Sequence, residues 1–310
     1  MNLRIFRTVP ALIGTMCLSF LFTSACAMKP AQLKIKGVPQ PLAIGTIYDT
    51  ARNEAIDFET LIRRLASARV IYVGEQHTAV SHHRVQLKVL KALVDSGRHI
   101  RVGMEMFDHT YQDRLDEWSA GKTDWQTFLK RTQWYANWQF DDTLYKDILI
   151  YIKEKRLKLI GLNIPFYIPP RISTGGLDNL LPADRAQLPR KIDTTQADHR
   201  AYVQEIFKMH HIKGRGDFEN FYAAQCAWED GMAQTIAGNL ADDTLVVFVG
   251  DGHIRRKYGI PDRAFIRDGA PFLTIYPALP HQPVSLKDGD FIWVTDESRG
   301  PKVRHPIPLK

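Results

Sequence analysis

Two short segments of the chain combine an acid, an imidazole and glycine turns: Gly74-Glu75-Gln76-His77 and Gly250-Asp251-Gly252-His253. Each directly follows an apolar run, Val70 to Val73 and Thr244 to Val249, and a third run ends in Glu105. Imidazole nitrogens and carboxylate oxygens ligate divalent ions. Glu75, His77 and His253, with Glu105, would then hold a metal that activates water for hydrolysis. The same side chains would equally form a hydrogen-bonded polar floor without metal. A third arrangement pairs Glu75 and Glu105 with Arg84 or Arg101 as buried ion pairs. His82 and His83 begin a helix and are expected at the surface or as capping groups. Cys226, in a helical stretch, is expected to be a small buried residue rather than a nucleophile. No H-E-x-x-H, Walker A loop, G-x-G-x-x-G or G-x-S-x-G occurs, which argues against nucleotide use and against a nucleophile-elbow hydrolase.

These groups meet only if strands deliver them to one edge. Val70 to Val73, Ile100 to Met106, Leu157 to Leu162, Thr244 to Val249, Phe272 to Tyr276 and Phe291 to Val294 read as strands. Helical periods separate them, at Phe58 to Ala68, Val80 to Ser96, Tyr111 to Trp118, Trp125 to Arg131, Leu144 to Lys155 and Phe218 to Leu240. Short apolar strands alternating with helices predict an α/β fold, a mainly parallel sheet flanked by helices. Ligands of such sheets bind beyond the carboxyl ends of the strands, where both G-x-x-H segments fall. Residues 165–216 break the rhythm with Pro165, Pro169, Pro170, Pro182, Pro189 and Gly175-Gly176, and read as a small helical annex. The α/β domain is expected over 56–164 and 217–310. The aromatic run Trp134-Tyr135-Ala136-Asn137-Trp138 is expected in the core or along the pocket.

The chain has 310 residues, 45% of them hydrophobic, with 41 basic and 34 acidic side chains and a net charge of +7. A spread-out excess without an arginine-rich run makes nucleic acid an unexpected partner. Residues 1–25 read as a signal peptide: Arg4 and Arg7, then twelve apolar residues from Ala11 to Phe22, too few for a span of about 20. The Leu21 to Cys26 stretch resembles a bacterial lipobox, although Thr23 stands where a large aliphatic residue is usual. Cys26 would become a lipidated N-terminus carrying diacylglyceryl and an acyl chain such as palmitate, enough for stable anchoring. Cleavage after Ala25-Cys26-Ala27 for soluble export is the other option. Ala27 rather than Asp after the cysteine points to the outer membrane of a bacterial cell envelope. Residues 26–55 read as a tether and lead-in loop. Cys226 alone remains, so no internal disulfide is expected.

The order G-E-Q-H, M-E-M-F and G-D-G-H-I-R, with the helix A-A-Q-C-A-W-E-D-G-M-A, resembles the ChaN family of haem-binding, iron-regulated bacterial lipoproteins over about residues 55–280. The resemblance implies a large parallel sheet with a smaller helical domain. It also implies haem acquisition, storage or transfer by a homodimer, with haem between two subunits, tyrosinate on iron, and a His and a Lys from the partner on the propionates. Tyr202 and Tyr222 are the candidate iron ligands. His199, His210, His211 and Lys213 are the candidate propionate partners. The wider superfamily includes Tiki-type metalloproteases and erythromycin esterase-like proteins. That keeps open a metal-dependent peptidase or esterase using Glu75, His77 and His253.

Overall fold

The structure is a computed structural model and describes residues 31–209 and 217–301. The signal segment, Cys26, His210, His211 and Lys213 lie outside the described residues.

The apolar runs that lack a period of two become strands buried on both faces. Strands β6 (Val70–Glu75) and β9 (Thr244–Gly250) are buried at every position, as parallel strands covered by helices must be. Twelve strands occur among the described residues. Two short pairs lie apart from the main sheet: β1 (Gln32–Leu33) with β3 (Leu42–Ala43), and β2 (Ile35–Lys36) with β11 (Val284–Ser285). The main sheet also contains β4 (Ile47–Asp49), β5 (Glu54–Ile56), β7 (Ile100–Asp108), β8 (Lys158–Asn163), β10 (Phe272–Ala278) and β12 (Phe291–Val294), in the order β5-β4-β12-β10-β6-β9-β7-β8. The six strands from β12 to β8 run parallel; β4 and β5 close one edge antiparallel.

The expected α/β class is therefore present, but the segment read as a tether over 26–55 carries five short strands from Gln32 onward. Strands of two or three residues are too short to show a period in sequence.

Helices sandwich the sheet. On one face, α1 (Phe58–Leu65), α2 (Val80–Asp95), α3 (Gln112–Ser119), α4 (Trp125–Arg131), α5 (Trp134–Asn137) and α6 (Thr143–Glu154) pack over Ile71, Val73, Val102, Met104 and Phe248. Aspartates start two of them: Asp57 and Asp124 accept from the backbone N–H three residues on, at 2.7 and 2.9 Å, relieving otherwise unpaired N-terminal donors. In the segment 165–209, α7 (Ile168–Gly175), α8 (Pro182–Arg185) and α9 (Ala197–Met209) follow. The other sheet face is covered by α10 (Phe218–Gly238) and α11 (Ile260–Asp268), around Val70, Tyr72, Val247 and Val249. Helix α10 is the hub of this side. It touches the sheet, packs on α7 through Ala224 and Ala227, and packs on α9 through Tyr222 and Cys226. Gly231 lets it lie close: a Cβ there would come within 2.3 Å of Ile164.

Candidate functional site

Strands β6 and β9 are neighbours in parallel register, with Glu75 opposite Gly250. The chain leaves β6 toward α2 on one face and leaves β9 toward α11 on the other. Adjacent strands whose connections part in this way open a crevice at their carboxyl ends. A cavity of about 380 Å³ sits there, floored by residues 75–77 and 250–253 and roofed by Tyr202, Phe221, Gln225 and Trp228 from α9 and α10. Both G-x-x-H segments thus reach one cavity, as their placement after apolar runs predicts.

His77 Nδ1 donates to Glu75 Oε1 at 2.8 Å. The carboxylate is fully covered, whereas the imidazole side chain is 29% exposed, so an accessible ring is held by a buried anion. Tyr145 Oη donates to the same Oε1 at 2.6 Å, and Gln86 Nε2 donates to Oε2 at 2.9 Å. Burial pushes the Glu75 carboxyl up, but His83, His77 and Tyr145 outweigh it and bring it down to about 2. Burial pushes His77 down, and Glu75 followed by Glu105 more than reverses this, leaving it raised. Trp138 and Phe140 each place a ring centroid 4.7 Å from that of His77.

His253 is held from both sides. Its Nε2 lies 3.4 Å from Glu105 Oε1, and its Nδ1 lies 3.2 Å from Glu229 Oε1. Carboxylates on both nitrogens require both to carry hydrogen, which favours the imidazolium. Burial opposes the charge, but Glu105 and Glu229 raise the pKa to about 10. Glu105 also accepts from the Gly250 N–H at 2.6 Å, and its own pKa is lowered despite burial, chiefly by His253. Behind this lies a layer that the sequence motifs did not disclose. Glu229 Oε2 is 2.9 Å from His199 Nε2, and Gln225 Nε2 donates to Glu229 Oε1 at 2.7 Å. Arg263, 1% exposed, donates to Asp230 at 2.5 Å and to His199 Nδ1 at 3.2 Å. The signal for Glu229 and Asp230 was an acidic pair inside an otherwise apolar stretch of α10.

A family model described as haem-binding uptake, Tiki superfamily, ChaN matches residues 61–264, well over half of the chain. The chain belongs to this family. ChaN of Campylobacter jejuni, whose structure is described as showing cofacial haem binding, superposes with a TM-score of 0.64 at 20% identity. The match covers 80% of this chain and 95% of that one, and it shows a shared fold. An erythromycin esterase variant in its open conformation matches at 14% identity and a TM-score of 0.44, covering 76% of each chain. Among curated proteins none matches the sequence.

Within this ChaN-family fold the two candidate tyrosines differ. Tyr202 lines the cavity, and among the described residues no hydrogen bond engages its hydroxyl; burial, moderated by Arg255, raises its pKa. Tyr222 is 1% exposed, donates to Gln196 O at 3.2 Å, lies 3.3 Å from His199 Nδ1, and is not among the cavity-lining residues.

Several expectations need correction. His199 is 1% exposed and bound to Glu229, so it cannot reach a propionate. Arg84 and Arg101 pair with Asp296 and Asp243, not with Glu75 or Glu105. His82 and His83 are buried at 0% and 4% exposure, not surface groups. His82 Nδ1 accepts from the Gln76 N–H at 2.9 Å, and burial with His83 lowers its pKa to about 4. His83 Nε2 donates to the His77 carbonyl at 3.0 Å. Trp134 is core, while Trp138 backs His77. Cys226 is buried, and burial raises its thiol to about 12, which leaves it an inert packing group.

Among the described residues no group of three or more His, Cys, Asp or Glu is arranged to hold a metal ion. Glu75, both nitrogens of His253, the Nδ1 of His77 and Glu105 are engaged with one another or with Tyr145, Gln86 and Glu229. In this arrangement Glu75, His77 and His253 floor the cavity.

Proposed function

We propose that this chain binds haem at the cavity above β6 and β9, with the Tyr202 phenolate oxygen as the iron ligand, in the service of haem uptake. The observation that carries the reading is the placement of Tyr202. In a member of the haem-binding uptake family, it brings an accessible phenol without a hydrogen-bond partner among the described residues to a cavity walled by Val203, Ile206, Phe221 and Trp228. Phenolate is an established protein ligand of haem iron, and aliphatic and aromatic walls suit the faces of a macrocycle. Bound there, haem would supply the ferric centre that makes loss of the phenol proton favourable. The residues themselves fix the seat. Tyr202 offers oxygen, Phe221 and Trp228 exclude water, and the buried Glu75–His77 and Glu229–His253 pairs keep the floor rigid.

About 380 Å³ lies near the low end of small-molecule pockets, which run from about 300 to 1,000 Å³. A porphyrin would therefore project from one copy, which suits the homodimer sharing haem between subunits that the family resemblance implies, with His210, His211 and Lys213 as propionate partners. The N-terminal segment supports export and anchoring of the chain through lipidated Cys26 to the outer membrane.

Haemin titration of the purified protein tests the reading. The expected result is a saturable Soret shift that Tyr202→Phe removes and Tyr222→Phe retains. No shift at micromolar haemin would overturn it. A Cys26→Ser variant expressed in a bacterial host should leave the membrane fraction; continued pelleting with membranes would overturn the anchor.

A further inference from the structure

A second cavity lies behind the wall of the first. It encloses about 320 Å³ between α7 and α10 and is lined by Phe166, Pro169, Pro170 and Ser173 on one side. Phe221, Ala224, Gln225 and Trp228 line the other. The latter four are spaced as one face of a helix. Phe221, Gln225 and Trp228 belong to both cavities, so the two are separated by one layer of side chains.

The chemistry of the two differs. The first is floored by Glu75, His77, Asp251 and His253, whereas among the described residues no ionisable side chain lines the second. Its polar groups are few, and two are unsatisfied. Ser173 is 5% exposed, and among the described residues its enclosed Oγ has no hydrogen-bond partner; the enclosed Trp228 indole Nε1 likewise has none among them. A buried donor without a partner costs about 1–3 kcal/mol, and such groups in native proteins usually meet water or a ligand. The indole is a donor only, and a serine hydroxyl can donate. A charged ligand would find no counter-charge among the described lining residues and would lose its hydration.

From these observations we infer that the α7–α10 cleft is a second binding site, for a neutral, flat aromatic or cyclic small molecule bearing a carbonyl or ether oxygen. The apolar walls take the ring, and Ser173 and Trp228 donate to the oxygen. The site stands whether or not haem binds in the first cavity. Because Trp228 also packs against His253, with centroids 5.1 Å apart, a ligand in the cleft would be sensed on the other side of the wall.

Coumarin, a neutral bicyclic lactone, is the probe. The Trp228 indole N–H resonance, assigned with Trp228→Phe, is followed by proton–nitrogen NMR in the full chain during titration. The expected result is a saturable shift with a Kd below about 1 mM. Ser173→Val should weaken binding about three- to tenfold through the lost hydrogen bond, and Ala224→Leu should fill the cleft and abolish the shift. A resonance that does not move up to the solubility limit overturns the inference, and so does a shift that survives Ala224→Leu. If the latter variant does not fold, unchanged affinity in Ser173→Val overturns it alone. One-for-one displacement of coumarin by haemin would also overturn it, by making the cleft part of the porphyrin seat. Absence of any haemin effect with coumarin still bound separates this site from the haem reading.

Discussion

Glu229, in the middle of α10, holds His253 Nδ1 at 3.2 Å with one carboxylate oxygen and His199 Nε2 at 2.9 Å with the other. A helix and a strand-end turn are thereby joined through one buried carboxylate. Arg263 Nε lies 3.5 Å from the same Oε2. Replacing Glu229 with Ala leaves two imidazoles and a guanidinium facing one another, with Glu105 still beside His253 and Asp230 still beside Arg263. Removing one partner of a buried charge pair typically costs about 3–5 kcal/mol. Urea unfolding of Glu229→Ala should show a loss of that order, and Glu229→Gln a smaller one because two hydrogen-bonding positions remain. Equal stability of both variants and the parent would contradict the role assigned to this carboxylate.

The same pair sets an alkaline limit. The His253 pKa is raised from 6.5 to about 10 in the folded protein. A group whose folded value lies above its unfolded value stabilises most below the unfolded value, and the contribution is lost as pH rises through the folded one. Stability should therefore fall between about pH 6.5 and 10, beyond the general trend, and His253→Gln should flatten that slope. Glu75 works in the opposite sense. Its pKa is lowered from 4.5 to about 2, so its contribution is present above pH 4.5 and disappears as pH falls toward 2. Thermal melts across both windows, compared with His253→Gln and Glu75→Gln, measure the two contributions separately.

Tyr202 and Tyr222 should separate haem affinity from stability. Tyr222 Oη donates to Gln196 O inside the packing of α9 on α10, so Tyr222→Phe should cost about 1 kcal/mol of stability and leave haemin binding intact. Tyr202→Phe removes a hydroxyl that no described residue hydrogen-bonds, so it should leave the melting temperature unchanged while abolishing the Soret shift. The reverse pattern in paired melting and absorption measurements would move the iron to Tyr222.

What was legible in the sequence followed from length and period. The parallel strands β6, β7, β9 and β10 announce themselves as apolar runs because both faces are covered, and their polar ends mark the crevice. Glu75, His77, Glu105 and His253 were readable because glycine and an apolar run flank them. The strands of residues 31–56 were not, since each is shorter than one detectable period. Nor was the second layer. Glu229, His199 and Arg263 come from three separate helices, and only the packing of α9 and α11 on α10 brings them together. The burial of His82 and His83 was hidden for the same reason: amphipathic spacing places them near a helix start but does not say that residues 296–298 pass over them, as the Ser81 Oγ bond to Asp296 O and the Val80 N–H bond to Ser298 O show.

Gly250 offers a test of how tightly His77 is positioned. Its backbone, at φ −55° and ψ 140°, is open to any residue, so alanine there meets no conformational penalty, and only space matters. An added Cβ would approach His77 Cε1 to 3.0 Å and Glu105 Oε2 to 3.5 Å. The His77 ring has room to give because its side chain is partly exposed, whereas Glu105 does not. Gly250→Ala should therefore fold with a loss of about 1–3 kcal/mol, turn the ring away from Glu75, and bring the raised His77 pKa back toward 6.5. Ring-proton NMR across a pH series reads that shift directly. Gly259→Ala is the harsher comparison, since its Cβ would lie 2.3 Å from the His253 carbonyl oxygen and 2.9 Å from Glu229 Oε1. There the obstacle is backbone and a buried carboxylate rather than a movable ring, so the loss should exceed that of Gly250→Ala in urea unfolding. An unshifted His77 in Gly250→Ala would mean that the 2.8 Å bond to Glu75 is strong enough to displace the strand end instead.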